Sequence, residues 1–115
     1  MKQYMGTRNP EGVRVTVDGM PLQNHPDPET GASYEFHWGG DCPGAAALAW
    51  SILVDALESD YLAAEFADQF RLGVVVNWIA GAWTLTQGEV WRWVIKQCER
   101  CYDNVRRRGP GYIVV

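Results

Sequence analysis

The sequence has few of the features that mark a membrane, secreted or metal-binding protein. Its 115 residues include three cysteines and two histidines, and no apolar run reaches the ~18 residues that a membrane-spanning helix needs. The N-terminal segment MKQYMGTRNPEG lacks the apolar core of a signal peptide. Three cysteines without such a signal favour reduced thiols over a disulfide framework. We therefore expect a cytoplasmic protein that does not contact a membrane.

Apolar and aromatic residues are plentiful instead. Hydrophobic residues make up 47% of the chain, and six of its residues are tryptophan, which suffices for a core without disulfides or metal ions. Charged residues, at 21%, are too few and the apolar residues too many for a disordered chain. The length and the absence of a linker predict a single domain over residues 1–115.

Alternating segments in the first third of the chain predict strands. Residues 13–17 (VRVTV) alternate, and the Asp18–Gly19 dipeptide predicts a hairpin with a return strand near residues 20–22. Residues 34–38 (YEFHW) alternate again and predict a third long strand, and residues 3–6 predict a short one.

Three helices are predicted after these strands. The first begins near Pro43, because proline is well accepted in a first helical turn. The second begins at Ser59–Asp60 and runs to about Ile79. The third begins at the capping box TQGE of residues 86–89, in which the threonine and the glutamate cap each other's backbone N–H groups.

The third helix carries an apolar stripe that predicts its buried side, while Trp93 falls on the opposite side near basic residues. The residues of this stripe are Val90, Trp91, Val94, Ile95, Cys98 and Tyr102. After the third helix, the apolar and β-branched segment YIVV at 112–115 suggests a last strand that would rejoin the sheet. Strands grouped before helices indicate an α+β fold: a small antiparallel sheet of three to four strands packed on three helices, in the order β-β-β-α-α-α-(β).

The glycine pair Gly39–Gly40 before the first helix raises the question of a phosphate site. Helix N-termini attract anions, but a phosphate-binding loop also needs a lysine, and none follows Gly44. Asp41 places a negative charge where the phosphate would lie. The pattern therefore favours a sharp corner, in which glycines let strand and helix approach closely.

The cysteine and histidine patterns do not assemble a cofactor or catalytic site. Cys98 and Cys101 form C-x-x-C, but a structural zinc needs two further ligands, and a redox motif places its first cysteine at a helix N-terminus. We expect both to pack in the core as small apolar residues. His37 and Cys42 lie five residues apart without a recognisable motif. We expect no cofactor, no metal and no enzymatic activity, with a metal- or thiol-dependent enzyme as the remaining alternative.

Charge is unevenly distributed along the chain. Residues 41–89 carry one base against seven acids, and residues 90–115 carry six bases against two acids. The acids indicate either solvated helix faces or a surface meant for a basic partner. Trp50 and Trp83 are candidate anchors, because tryptophan is enriched in interface hot spots. The candidate partner-binding residues are Asp55, Glu58, Asp60, Glu65, Asp68 and Trp50.

The last helix suggests a second kind of site, because arginines can neutralise phosphates and an exposed aromatic can stack on bases. The candidate nucleic-acid-binding residues are Arg92, Trp93, Lys96, Arg100, Arg106, Arg107 and Arg108. The net charge of −4 opposes this hypothesis, since domains that bind nucleic acid are usually strongly basic. An exposed Trp93 would equally suit a homodimer surface.

Four short motifs together resemble a small uncharacterised bacterial family of unknown function. They are YMGTR (4–8), VRVTVDGMPL (13–22), FHWGGDCPGAAALAWSIL (36–53) and WTLTQGEVWRWV (83–94). The family is similar in its Y-x-G-x-R start, V-x-V-x-G hairpin, W-G turn and late W-x-L-T segment, although its glycine turn is longer than the one before Pro43 here. Members of this family occur in phages, plasmids and other mobile elements, without an assigned activity.

The resemblance implies an accessory protein that binds a complex of its bacterial host. With the acidic middle of the chain, it leads us to expect a non-enzymatic inhibitor of a host defence complex, similar to inhibitors of CRISPR–Cas. Such a protein would occupy a basic surface by steric block or by charge mimicry. A small nucleic-acid-binding regulator that uses the Arg-rich end of the last helix is the alternative.

Overall fold

Four strands and three helices build the protein in the computed structural model, which describes the backbone of residues 1–107 and the side chains of residues 1–100. In chain order these elements are β1 (Gln3–Asn9), β2 (Gly12–Val17), β3 (Met20–Pro21), α1 (Pro43–Leu57), α2 (Asp60–Gly73), β4 (Ala82–Thr86) and α3 (Gln87–Arg107). A short 3-10 turn, Val75–Asn77, follows α2. Within the described residues, no helix has both the length and the apolar character needed to cross a membrane.

The strands form one antiparallel sheet in the order β3-β2-β1-β4. The hairpin predicted at Asp18–Gly19 is confirmed, with φ of 49° at Asp18 and 83° at Gly19. Two successive positive φ values characterise the tight turn whose twist matches that of paired strands. Asp18 also fastens the hairpin to β1, because its carboxylate accepts the N–H of Gln3 at 2.9 Å.

The predicted α+β class, with a small antiparallel sheet and three helices, is confirmed. Residues 34–38, however, are not a strand, and one of their amides instead holds the start of α1: the His37 N–H donates to the carbonyl of Gly44 at 3.2 Å. Residues 82–86 form β4, a strand that the sequence did not predict. They pair with the edge of β1 that β2 leaves free. The predicted last strand, 112–115, lies outside the described residues.

The central element of the core is α1, which begins at Pro43 as predicted. Its apolar stripe is buried between the sheet and the other helices and comprises Ala45, Leu48, Ala49, Ile52, Leu53 and Ala56. Ser51 is the polar residue of α1 that is fully buried. Its hydroxyl accepts the His25 N–H at 3.0 Å, so the buried polar group is satisfied.

The second helix, α2, begins where predicted but ends earlier. Ser59 caps its start by accepting a backbone N–H at 3.1 Å. The helix ends at Gly73 rather than near Ile79. Residues 74–76 are three valines, whose branched side chains disfavour a continued helix, and the Asn77 amide donates to the carbonyl of Gly73 at 2.9 Å, which satisfies the helix end.

The third helix turns a different side to the core than predicted. Val90 and Val94 are buried, but Trp93, expected to face away, packs edge-on against Phe66 and Phe70 with ring centroids 6.2 and 5.1 Å apart. Both sides of α3 carry apolar residues, and spacing alone does not say which side meets α2. The residues predicted as buried that are instead exposed are Trp91, Ile95 and Cys98.

Candidate functional site

The acidic residues predicted to form one patch lie in two different environments. Asp55 and Glu58, at the end of α1, face the N-terminal strand. The Lys2 ammonium lies 3.5 Å from a carboxylate oxygen of Asp55 and 3.4 Å from one of Glu58. The Tyr4 hydroxyl donates to Asp55 at 2.6 Å. These two carboxylates therefore already have partners within the fold.

Tyr4 is the titratable group that this environment perturbs. Burial raises the pKa of its hydroxyl well above the ordinary value, and the hydrogen bond to Asp55 and the nearby negative charge of that carboxylate raise it further. The hydroxyl consequently stays protonated and acts as a donor. Asp55 thus serves to attach β1 to α1, and we place it in the structure of the fold rather than in a docking surface.

The other acids lie on the solvent side of α2. Asp60, Glu65 and Asp68 are exposed there, together with two apolar side chains, Tyr61 at 79% and Leu72 at 51% exposure. Residues 61, 65, 68 and 72 recur at intervals of four, three and four, which places them on one face of a helix. We call these five residues the α2 outer face. It combines carboxylates with exposed apolar groups.

A pocket of about 460 Å³ borders this face. It lies between the loop of residues 23–34, the first turns of α1 and the inner margin of α2. Four alanines line its floor, Ala46, Ala47, Ala64 and Ala67. Its other lining residues include Tyr34 and Trp50, the carboxylates of Asp27, Glu29 and Asp68, and Arg71. Trp50, the predicted anchor, is half-buried and belongs to this pocket.

The loop that walls the pocket is held by a set of hydrogen bonds. The Asn24 amide donates to the carbonyl of Tyr34 at 2.7 Å, which closes the loop. Asp27 accepts the N–H groups of Glu29 and Thr30 at 2.8 and 3.1 Å, and Ser51 anchors the loop to α1. The pocket is therefore formed before any ligand arrives. Its lining comes from three separate segments of the chain, and the sequence identified only Trp50 and Asp68 among these residues as candidates for binding.

The glycine turn before α1 is a corner. Gly39 has φ of +80°, and a Cβ there would lie 2.7 Å from the carbonyl oxygen of Trp78. Gly44 is buried against the backbone of Glu35, where a side chain would collide. Asp41 forms an ion pair with Arg71. Each feature serves close packing, as the sequence predicted.

Trp83, the second candidate anchor, is not available to a partner. It is 8% exposed and stacks on Trp78 with ring centroids 4.2 Å apart. Trp38 meets it edge-on at 5.7 Å, and the Arg8 guanidinium lies 5.0 Å from the Trp38 ring centroid. Gly6 leaves the space that the Trp83 indole occupies. This cluster holds the sheet to the corner.

In the part of the chain that the structure describes, the cysteines and histidines are spread over the corner before α1, the loop of residues 23–34 and α3. Cys98 is exposed on α3, so the prediction that it packs in the core is wrong; the side chain of Cys101 lies outside the described residues. His37 accepts the Trp38 N–H at 2.8 Å and serves the corner. Among residues 1–100, no three His, Cys, Asp or Glu side chains are grouped as metal ligands.

The basic residues of α3 are partly as predicted. Arg92, Lys96 and Arg100 are exposed, and their spacing of four residues places them on one side of the helix. Trp93 does not accompany them, because it packs against α2. The side chains of Arg106 and Arg107 lie outside the described part of the chain, as does the whole of Arg108.

The chain is similar to a protein family of unknown function. The model of a "Family of unknown function (DUF6166)" matches residues 4–96. That range covers all the motifs on which the resemblance rests. No match was found among curated proteins or among solved structures.

Proposed function

We propose that this chain, which belongs to the DUF6166 family of unknown function, is a non-enzymatic binding protein that occupies a basic surface on a partner. The observation that carries the proposal is the α2 outer face. Exposed carboxylates there flank Tyr61 and Leu72, which are apolar side chains in contact with water. Aromatic residues are enriched at the centre of protein interfaces and polar residues at their rims, so this combination supports a surface that another protein covers.

The chemistry of the α2 outer face suits a protein partner. Tyrosine is enriched in interface hot spots because it offers a large area and a hydroxyl at little entropic cost. Asp60, Glu65 and Asp68 would steer a basic partner and fix its orientation. Asp55 and Glu58 contribute less, because Lys2 already neutralises part of their charge.

The proposed partner is a protein or nucleoprotein complex of a bacterial host. The resemblance to a family of phages and mobile elements supports an inhibitor of a host defence complex that acts in the cytoplasm, in the manner of inhibitors of CRISPR–Cas. Those complexes hold nucleic acid in positively charged channels, which an acidic face could occupy by steric block or charge mimicry.

The test is a pull-down from bacterial lysate with a charge reversal on the α2 outer face. Glu65→Lys reverses an exposed carboxylate that does not line the pocket. Glu11→Lys reverses an exposed carboxylate near the β1–β2 turn and is the matched control. We expect Glu65→Lys and high salt each to remove the captured partners, which Glu11→Lys retains. Equal capture by both variants would contradict the proposal.

A second candidate function is binding of nucleic acid by the basic side of α3. The exposed row of Arg92, Lys96 and Arg100 favours it, although the expected stacking aromatic, Trp93, is packed against α2. A mobility-shift assay with duplex and single-stranded DNA and RNA at ~50 mM salt tests it, because phosphate contacts are strongest at low salt. Absence of a shift with every probe would remove this candidate.

A further inference from the structure

The pocket beside α2 is large enough to hold a ligand. Its volume of about 460 Å³ lies within the roughly 300–1,000 Å³ of typical small-molecule sites. Alanines form the floor because larger side chains would fill the space. Trp50 and Tyr34 contribute aromatic rings at its sides. An apolar chain that ends in a polar group matches this lining.

The charge of the lining disfavours an anionic ligand. Arg71 is already paired with Asp41 and lies 3.5 Å from a carboxylate oxygen of Asp68. An anion would have to displace Asp41 from Arg71 and approach the carboxylates of Asp68 and Glu29 as well. Each step opposes binding, because like charges repel and the existing ion pairs would be lost.

The same lining favours a cationic ligand. Glu29 is exposed at the rim, and the Asp68 side chain is 90% exposed, with its contact to Arg71 at 3.5 Å as a weak link. Both carboxylates can therefore turn toward a positively charged group. The rings of Trp50 and Tyr34 attract cations through their π faces. Asp27 adds negative charge, although one of its oxygens holds the loop.

We propose that this pocket binds a cationic side chain, an arginine or lysine that projects from the basic surface of the partner. The aliphatic part of the side chain lies over the alanine floor. The charged end lies between the aromatic rings and the carboxylates of Glu29 and Asp68. The inference rests on the proposed function, since it names the group that the partner inserts beside the α2 outer face.

The experiment titrates the purified protein with the peptide acetyl-Gly-Arg-Gly-amide. Its control is the same peptide with citrulline, which keeps the shape and hydrogen-bonding plane but carries no charge. Binding is followed by NMR, through the methyl signals of Ala46 and Ala64 and the indole N–H signal of Trp50. We expect saturable shifts of these signals with the arginine peptide and much smaller shifts with citrulline. Equal shifts with both peptides, or none, would overturn the inference.

Two variants test the pocket by different means. Ala46→Leu places a larger side chain among the alanines that line the pocket, at a position exposed enough to accept it. Glu29→Gln removes a negative charge at the rim and keeps the size of the side chain. Glu29→Gln is expected to weaken binding of the arginine peptide by roughly fivefold, the order expected for a partly exposed charge contact. Ala46→Leu is expected to weaken it by a similar factor, because the larger side chain takes the space of the ligand. Glu11→Gln, at an exposed position near the β1–β2 turn, is the matched control and is expected to leave the affinity unchanged. Weakening by Glu11→Gln as large as by Glu29→Gln would contradict a defined site.

The two proposals can fail separately. If Glu65→Lys removes captured partners while Ala46→Leu and Glu29→Gln do not, the α2 outer face is the docking surface and the pocket inference is wrong. If the arginine peptide binds as expected but Glu65→Lys captures as much as Glu11→Lys, the pocket stands and the docking proposal is wrong. The unfolding midpoint of each variant, followed by circular dichroism, confirms that the fold is intact.

Discussion

Three residues of β1, Tyr4, Gly6 and Arg8, lie on the same face of the strand because they alternate along it. Each attaches the sheet to a different neighbour. Tyr4 donates to α1, and Gly6 leaves room for the indole of Trp83. The guanidinium of Arg8 lies over the ring of Trp38 and donates to its carbonyl at 3.1 Å. The Y-x-G-x-R motif is thus explained by packing, and it requires no catalytic role.

Gly6→Ala tests the closest of these contacts. An added Cβ would collide with the Trp83 indole, and overpacking of this kind costs about 1–3 kcal/mol or more. Gly40→Ala is the control, because a Cβ there meets no atom of the described residues within 4 Å; its effect should stay within about ±0.5 kcal/mol. Urea unfolding measures both. A Gly6→Ala free energy of unfolding equal to that of Gly40→Ala would show that the Trp83 ring can move aside.

Tyr4→Phe removes the hydroxyl that donates to Asp55. We expect a loss of about 1–2 kcal/mol in the free energy of unfolding at pH 7, because a buried hydrogen bond to a charged group is lost. Lys2 remains beside Asp55 and limits the cost. Tyr61→Phe, at an exposed position, is the control and should be nearly neutral.

The raised pKa of Tyr4 also predicts a dependence on pH. The folded protein keeps this proton, whereas the unfolded chain releases it near pH ~10. The contribution of Tyr4 is therefore fully present below that pH and is lost as the pH rises above it. Between pH 9 and 11 the stability of Tyr4→Phe should fall less steeply than that of the wild type, and Tyr61→Phe should follow the wild type. Parallel slopes for all three proteins would refute this assignment.

At the scale of elements, the two helices that border the pocket begin differently. Ser59 caps α2 with its hydroxyl, whereas Cys42 precedes α1 without a side-chain cap. The capping box predicted for α3 is confirmed in both directions: the Thr86 N–H donates to the Glu89 carboxylate and the Glu89 N–H to the Thr86 hydroxyl, each at 3.1 Å. The local signals for helix starts were therefore reliable here.

Substitutions at the caps should act in opposite directions. Ser59→Ala should lower the free energy of unfolding by about 1 kcal/mol, the usual cost of removing a cap. Cys42→Ser should raise it by up to about 1 kcal/mol, since a hydroxyl can accept a first-turn N–H that the thiol leaves unbonded. Thermal denaturation under reducing conditions measures both. A Cys42→Ser variant that is destabilised would indicate that the half-buried thiol packs too well to be replaced.

At the scale of the whole molecule, one hydrophobic cluster joins the sheet and all three helices. It includes residues from each, among them Tyr4, Leu48, Phe70 and Val90. A single core of this size in a chain of 115 residues should unfold cooperatively. The α2 outer face and the basic side of α3 lie on the surface of this unit, so their charges do not enter the core.

Leu48→Ala tests the cooperativity. Leu48 is fully buried at the centre of α1, and its truncation should cost about 2–5 kcal/mol. Tryptophan fluorescence and far-ultraviolet circular dichroism should report the same unfolding midpoint in the wild type, and the variant should shift both equally. Two separate midpoints would mean that the sheet and the helices are stabilised independently.

The sequence by itself determined the elements that depend on local physics. The hairpin at Asp18–Gly19 needs two residues that tolerate positive φ, and the start of α1 at Pro43 and the capping box before α3 need only neighbouring side chains. A local pattern can be recognised in the sequence because the residues that interact lie within a few positions of one another. The fold class followed from the order of these elements.

Only the tertiary structure decided which side of α3 is buried, that residues 82–86 pair with β1, and that residues 34–38 remain outside the sheet. It also separated Asp55 and Glu58 from the α2 outer face and assembled the pocket from three distant segments. Each outcome depends on a competition between surfaces far apart in the chain. An apolar pattern identifies residues that are able to pack in a core. Which of them do pack depends on the element they meet, because that element determines the area buried and the hydrogen bonds satisfied.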